Sequence, residues 1–289
     1  MKQLTITLLG LSWLASPTSA QSPGAVFAVG GGPQPPALVR EFVDLAGGPG
    51  QARIVVMAMA SESGATSGEE KAADLRALGA EAINVWLTRD QADTDSAARL
   101  LDGATGIWFG GGDQSRLMAA IGGTRTAAAI YARWRAGAVV GGTSAGAAVL
   151  STPMITGDEK RPGGDRPTDD GSITFATLER DNVITAAGLG VLTNVIIDQH
   201  FVRRKRHNRL ISLVLEGPVR LGAGIDESTA LVIEPGGSWR VSGGGTVVIY
   251  DARDAASATG TLLAGTGLRL HVLPAGGRFD SATGRATLP

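Results

Sequence analysis

Short, nearly continuous apolar runs alternate with amphipathic segments along the first half of the chain. The apolar runs predict strands at Val26–Val29, Arg53–Ala58, Ala82–Leu87 and Gly106–Phe109, and the amphipathic segments predict helices at Ala37–Leu45, Glu69–Leu78 and Gln91–Leu101. Apolar strands separated by helices are typical of a parallel sheet that is buried on both faces. The pattern therefore predicts an α/β fold with a mostly parallel, doubly wound sheet and helices on both faces.

The second half of the chain has a different pattern. Residues 158–171 are polar and rich in Gly and Pro, which predicts an exposed loop over a site. From Leu221 onward a β-pattern dominates, with strands predicted at Ala230–Ile233, Ser238–Val241, Thr246–Tyr250 and Leu268–Leu273. We expect these strands to form hairpin-like, β-rich C-terminal additions at the edge of the sheet.

The N-terminus has the pattern of a secretory signal peptide. Lys2 is followed by the apolar run Leu4–Leu14, and then by small residues that end at Ala20. We expect residues 1–20 to be removed, leaving residues 21–289 as a single domain in a secreted or periplasmic protein. No later segment is long and apolar enough to predict a membrane anchor.

Composition narrows the possible chemistry. The 289 residues are 43% hydrophobic and 18% charged with a net charge of -1, so there is no basic excess that would indicate a nucleic-acid partner. Cysteine is absent, which excludes disulfides, thiol nucleophiles and cysteine metal ligands. With only three histidines, a multi-histidine metal site is disfavoured as well. We expect no metal and no cofactor.

A strand, a sharp turn and a helix are predicted over Val139–Leu150, and the turn contains the motif G-x-S-x-G. Gly142 and Gly146 flank Ser144 so closely that the turn can lift the serine hydroxyl above the sheet edge. The first N–H groups of the helix, beginning with Ala145, then point to where an oxyanion would form. Ser144 is the candidate nucleophile.

His200 is the best candidate for the base that such a serine needs. It ends the apolar strand that begins at Val195, so it lies at the carboxyl end of a strand, as Ser144 does. His207 directly follows a basic segment that predicts a solvated helix, and His271 lies in the middle of a C-terminal strand.

Several carboxylates could orient the base. Asp226 and Glu227 lie between a glycine turn and a strand, and Glu227 is the better candidate if Asp226 turns outward. Asp158 and Glu159 compete with it, and spacing alone does not choose among them.

Two further glycine-rich turns follow predicted strands. In the segment 109–117, the amides at Gly111 and Gly112 could complete an oxyanion hole, and Gln114 could bind a polar group of a substrate. Neither this segment nor Gly30–Gly32 has the spacing of a phosphate-binding loop.

These segments, in this order, resemble the S51 serine peptidase family. The blocks that carry the resemblance are Val29–Gly32, Gly111–Gln114, Gly142–Ala147, Asp198–Phe201 with the arginines that follow, and Gly224–Ala230. The resemblance implies a Ser-His-Glu triad, which favours Glu227. It also implies a homodimeric exopeptidase that cleaves cyanophycin, a poly-aspartate with arginines on its β-carboxyls, into β-aspartyl-arginine dipeptides.

The resemblance further implies a substrate pocket made by Gln114, Asp198, Gln199, Arg204, Arg206 and Arg209. Arginine forks bind carboxylates bidentately, as an aspartate-rich substrate requires. Arg203 and Lys205 are expected at the surface. The signal peptide and the long loop at residues 158–170 depart from the family pattern.

Two alternatives to this function remain open. The first is an aspartyl or isoaspartyl dipeptidase of the same family, which would cleave short peptides and ignore the polymer. The second is a non-catalytic protein that binds acidic peptides, against which the joint presence of Ser, His and Glu argues. The strand pattern also suits class I glutamine amidotransferases, but their cysteine nucleophile is missing.

Overall fold

The computed structural model describes residues 22–161, 175 and 177–289. The predicted signal peptide and most of the predicted loop at residues 158–171 lie outside the described residues. Export, and with it the predicted boundary of the single domain, therefore stays a prediction.

A nine-stranded sheet forms the centre of the fold. Its parallel part has the order β3-β2-β4-β5-β1, and an antiparallel extension β10-β11-β16-β17 continues from β1. These strands are β1 (Val26–Val29), β2 (Arg53–Met57), β3 (Glu81–Val85), β4 (Gly106–Phe109), β5 (Val139–Thr143), β10 (Thr229–Ile233), β11 (Ser238–Gly243), β16 (Arg278–Asp280) and β17 (Arg285–Thr287). The predicted parallel sheet is confirmed.

Helices cover both faces of the parallel strands. They are α1 (Pro36–Leu45), α2 (Gly64–Ala77), α3 (Arg89–Ala92), α4 (Asp95–Arg99), α5 (Gln114–Ile121), α6 (Arg125–Arg135), α7 (Ala145–Ala148) and α8 (His207–Glu216). In β1, Phe27 packs with Phe42 of α1 on one face, while Ala28 joins the core on the opposite face. Because side chains alternate between two buried faces, the strands are apolar at successive positions.

A second sheet, β8-β9-β12-β15, corrects the prediction that the C-terminal strands are all additions to one sheet edge. Its strands are β8 (Ile196–Gln199), β9 (Leu221–Ile225), β12 (Thr246–Asp251) and β15 (Arg269–Pro274). One face, with Ile197 and Ile249, shares a core with the main sheet. The other face, with Tyr250, packs against Leu210 of α8. His200 therefore follows a strand of the second sheet.

Three local predictions differ from the structure. Helix α2 begins five residues before the predicted start at Glu69, and the predicted helix at residues 91–101 is divided into α3 and α4, each capped by a threonine side chain. Asp158 and Glu159 belong to a strand, not a loop: β6 (Met154–Glu159) pairs with β7 (Val183–Ala186) in a two-stranded ribbon. The pair β13 (Ala256–Ser257) and β14 (Gly265–Thr266) completes the strands of the described residues.

The carboxyl ends of four strands converge on one place. Gly30 follows β1, Gly110 follows β4, Ser144 follows β5, and His200 follows β8. Ligands of open α/β sheets bind at such ends. Within the described ranges, no helix has the length and apolar character needed to cross a membrane.

Candidate active site

Ser144 lies on a tight turn between β5 and α7. Its backbone has φ 54° and ψ −115°, a strained conformation for a residue with a side chain, and its N–H donates to Val29 O at 2.9 Å. The flanking glycines are needed because a Cβ on Gly146 would lie 2.2 Å from Phe109 O, and one on Gly142 would lie 2.6 Å from Gly146 O. The turn presents the Ser144 hydroxyl to the site.

His200 contacts this hydroxyl directly. Its Nε2 lies 2.9 Å from Ser144 Oγ, and the residue is 8% exposed. His200 also has a positive φ of 48°, and its N–H donates to Gly30 O at 2.6 Å. The end of β1 therefore holds both Ser144 and His200 through backbone hydrogen bonds.

Glu227 completes a hydrogen-bonded chain from Ser144. Its Oε1 lies 2.6 Å from His200 Nδ1. When Nδ1–H donates to this carboxylate, Nε2 is left with a lone pair that can accept the serine proton. Asp226 turns away, as its carboxylate accepts the Arg203 N–H at 2.9 Å.

Neither of the competing carboxylates contacts His200. Asp158 lies on β6, and Glu159 accepts a hydrogen bond from Asn182 Nδ2 at 3.1 Å. Among the candidate acids, Glu227 is therefore the one that forms a hydrogen bond with His200.

Gly31 and Gly32 were not recognised as site residues from the sequence. A Cβ on Gly31 would lie 2.3 Å from His200 Nε2, and one on Gly32 would lie 2.8 Å from Glu227 Cβ. The two glycines, with φ 103° and 69°, thus make room for the imidazole and the carboxylate. The run of three glycines directly after β1 is the signal that could have indicated this role.

Burial lowers the pKa of His200 below its ordinary value of 6.5. The hydrogen bond with Glu227 raises this pKa, while the charges of Arg204 and Arg206 lower it. The net direction is downward, so the imidazole is neutral at neutral pH and able to accept a proton.

A cavity of about 350 Å³ opens beside Ser144. It is lined by Gly112, Asp113, Gln114, Ser115, Ser144, Thr156, Gly157, Asp158, Gln199, Arg204, Arg206 and Arg209. Five of the six predicted pocket residues therefore line one cavity. The exception is Asp198, which is not among the lining residues. A larger cavity of about 720 Å³ is lined in part by β7 and α8 and by none of the candidate residues.

Asp198 lies beneath the cavity instead. Its side chain is fully buried and accepts from Arg209 Nε at 2.7 Å and from the Gln199 N–H at 2.7 Å. The carboxylate therefore positions Arg209 and the backbone before His200. Direct contact of Asp198 with a substrate stays a prediction.

Hydrogen bonds within the cavity orient two amide side chains. Arg206 donates to Gln199 Oε1 at 2.8 Å, and Ser144 Oγ lies 3.4 Å from the same oxygen. Gln114 is buried, and its Nε2 donates to Ile155 O at 2.9 Å and also to Thr156 O. Gln114 thus attaches β6 to α5. Its contact with a substrate stays a prediction.

The predicted oxyanion donors lie beside Ser144. Ala145 is the first residue of α7, and Gly112 lies on the cavity wall with φ 134°. The backbone N–H groups of Gly112 and Ala145 donate to no acceptor in the described part of the chain.

The described residues do not include a cluster of three or more His, Asp or Glu side chains arranged for a metal ion.

Arg203 and Lys205 are exposed, which confirms the prediction that these two residues lie at the surface. His207 begins α8, as the basic segment predicts, but it is only partly exposed and its Nδ1 lies 2.7 Å from Tyr250 Oη.

Most of the chain matches a known protein family. A sequence profile of peptidase family S51 matches residues 27–239. The chain belongs to peptidase family S51. The matched residues include Ser144, His200 and Glu227.

Two cyanophycinases are similar to most of this chain. A cyanophycinase of Synechococcus elongatus is 36% identical over 219 residues, which are 72% of this chain and 63% of that protein. The chain therefore spans less than two thirds of this relative. A cyanophycinase of Trichormus variabilis is 35% identical over 251 residues, 84% of this chain and 79% of that protein.

The fold is also that of a solved peptidase from an acI-B1 Actinobacterium. The two structures superpose with a TM-score of 0.64 at 23% sequence identity, covering 90% of this chain and 98% of the other. Solved peptidases that resemble this chain have a class I glutamine-amidotransferase-like fold. The predicted α/β fold of this type is therefore confirmed.

Proposed function

We propose that this protein hydrolyses cyanophycin and releases β-aspartyl-arginine dipeptides, with Ser144 as the nucleophile. The observation that carries the proposal is the hydrogen-bonded chain Ser144–His200–Glu227 at the edge of an arginine-lined cavity. The cyanophycinases among its relatives supply the substrate class.

The first step is attack of Ser144 Oγ on the carbonyl carbon of a backbone Asp-Asp peptide bond. His200 Nε2 takes the hydroxyl proton, and Glu227 holds the imidazole and stabilises its positive charge. The N–H groups of Ala145 and Gly112 donate to the oxyanion of the tetrahedral intermediate. His200 then passes the proton to the leaving nitrogen, which leaves as an amine while Ser144 is acylated.

Water completes the cycle. His200 Nε2 removes a proton from a water molecule that attacks the acyl carbon, and the second tetrahedral intermediate collapses to a carboxylate. The proton returns from His200 to Ser144 Oγ, which restores the free enzyme.

The arginine side of the cavity binds the acidic backbone. Arg204 and Arg206 line the cavity, and Arg209 is held in place by its buried ion pair with Asp198. Guanidinium groups bind carboxylates through paired, charge-assisted hydrogen bonds. This arrangement suits a substrate with a free α-carboxylate next to the scissile bond.

Product analysis tests the proposal. Wild type and Ser144→Ala are incubated with purified cyanophycin and with short aspartyl and isoaspartyl peptides, and products are identified by mass spectrometry. We expect β-aspartyl-arginine from wild type and a loss of about 10⁴-fold or more in Ser144→Ala. Turnover of short peptides alone would replace the proposal with the dipeptidase function, and unchanged hydrolysis by Ser144→Ala would overturn the mechanism.

A further inference from the structure

The cavity beside Ser144 has two chemically different walls. The turn after β8 and the start of α8 supply Arg204, Arg206 and Arg209. A second contribution comes from β6, which supplies Thr156, Gly157 and Asp158. The cavity lining therefore carries guanidinium groups and, from β6, a carboxylate.

Asp158 is the carboxylate of this region that is not already engaged. Asp113 caps α5 by accepting the N–H groups of Ser115 and Arg116, and Asp198 pairs with Arg209 below the cavity. The Asp158 carboxylate is exposed and, within the described residues, makes no hydrogen bond or ion pair. It is free to bind a cationic group of a ligand.

An irregularity in β6 presents Asp158 to the cavity. The pairing passes from Ile155↔Thr185 to Glu159↔Val183, so four steps along β6 correspond to two steps along β7. The two extra residues form a β-bulge in which Gly157 has φ 108°. Bulges next to active sites change the direction of a side chain without ending the strand.

The bulge is fixed on both sides. Gln114 Nε2 donates to Ile155 O, and Thr156 Oγ1 donates to Ile184 O at 3.0 Å. The Asp158 N–H is 3.3 Å from Thr156 Oγ1. The backbone that carries Asp158 is thus attached to α5 and to β7.

We propose that Asp158 determines specificity by binding the guanidinium of the substrate's arginine side chain. This inference rests on the proposed function, because it names the residue of the cavity that would bind the arginine attached to a β-carboxyl of the substrate. A β-aspartyl-arginine unit carries both a carboxylate and a guanidinium. The arginine wall attracts the first and repels the second, and Asp158 pairs with the second in a charge-assisted hydrogen bond.

Matched substrates test this role. One is a short aspartyl oligomer with arginine on its β-carboxyls, and the other carries citrulline, which has the shape of arginine without its charge. For wild type we expect the arginine oligomer to have a kcat/KM about 10- to 100-fold above the citrulline oligomer. Asp158→Asn removes this preference by lowering kcat/KM for arginine only, while Asp158→Glu keeps much of it.

Glu159→Gln is the matched control, because it removes a negative charge at the next position, where the carboxylate faces Asn182. We expect it to keep the arginine preference of wild type. The inference is overturned if wild type cleaves both oligomers equally, or if Asp158→Asn lowers both rates by the same factor. If wild type cleaves neither the oligomers nor the polymer, the proposed function itself fails.

Discussion

At the level of single residues, the two groups proposed to react are both held in an unusual backbone conformation. Ser144 and His200 have φ 54° and 48°, in a region that costs about 1–3 kcal/mol for a residue with a side chain. Each is held by a backbone hydrogen bond to the end of β1, through Val29 O and Gly30 O. The main sheet thus fixes the distance between hydroxyl and imidazole.

The lowered pKa of His200 predicts how activity depends on pH. The proposed base works only when neutral and is protonated below its pKa, so kcat/KM should fall on the acid side with a midpoint below 6.5. The positive charge of Arg204 contributes to this lowering, so Arg204→Gln should raise the pKa of His200. We expect the acid limb of its pH–rate profile to move to higher pH.

Arg204→Lys is the control for this prediction, because it keeps the charge while changing the shape of the side chain. Its acid limb should stay near that of wild type even if the maximum rate falls. An acid limb that is the same in all three proteins would show that the charge does not act on the base.

The sequence allowed Ser144 and His200 to be predicted because each follows an apolar strand at a recognisable motif. It did not allow a choice among Glu227, Asp158 and Glu159 without the family resemblance. The choice depends on the turn between β9 and β10, which places Glu227 against Nδ1 of His200 across 27 positions in the chain. Spacing carries no information on such a long-range contact.

At the level of elements, the glycine turn after β1 is the support of the site. Its Gly31 lies against the imidazole of His200, and Gly32 lies against Glu227. The sequence showed the glycines but not the side chains that they accommodate, because those come from turns of the chain about 170 and 195 positions later.

Gly31→Ala tests this support. The added Cβ meets the imidazole at 2.3 Å, and the displaced base should reduce kcat by about 100-fold. Gly48→Ala is the matched control, because Gly48 also has a positive φ, of 83°, but its Cβ would have nothing within 4 Å. Both variants should lose about 1–2 kcal/mol of unfolding free energy from backbone strain.

Steady-state kinetics and urea denaturation of the two variants separate the effects. Equal activity of Gly31→Ala and Gly48→Ala would show that contact with the imidazole has no role in catalysis.

The second sheet was not predicted because an alternating strand pattern does not specify the partner strand. The segment of β9, Leu-Gly-Ala-Gly-Ile, is buried at all five positions although it contains two glycines. Gly224 lies against the Phe201 ring, which would be 2.3 Å from an added Cβ. This packing of β9 on the turn after β8 places His200 in reach of Ser144, and it depends on contacts distant in sequence.

At the level of the whole molecule, a buried carboxylate links the two sheets. Asp251 of β12 is fully buried at its side chain and accepts from Arg253 Nε at 2.8 Å and from Arg269 at 3.0 Å. Arg253 also donates to Ser281 O in the turn between β16 and β17. These hydrogen bonds hold the pKa of Asp251 well below its ordinary value.

Asp251→Asn should therefore destabilise the protein by about 1–3 kcal/mol at neutral pH. Since the folded pKa is depressed, the stabilisation is fully present above the ordinary carboxyl pKa and is lost as pH falls toward the folded value. Asp254→Asn is the control, because Asp254 pairs with Arg269 at an exposed position and should change stability by less than about 0.5 kcal/mol. Urea denaturation measures both, and equal effects would contradict the linking role.

The central claim is that Ser144 is a nucleophile activated by His200. The measurement that tests it most directly is the rate at which a fluorophosphonate probe labels Ser144, with the adduct located by peptide mass spectrometry. We expect a single adduct on Ser144 in wild type, and labelling about 100-fold slower or more in His200→Ala. An unlabelled Ser144 in the folded wild type would contradict it and favour a protein that only binds acidic peptides. Equal rates in the two proteins would contradict the activation of Ser144 by His200.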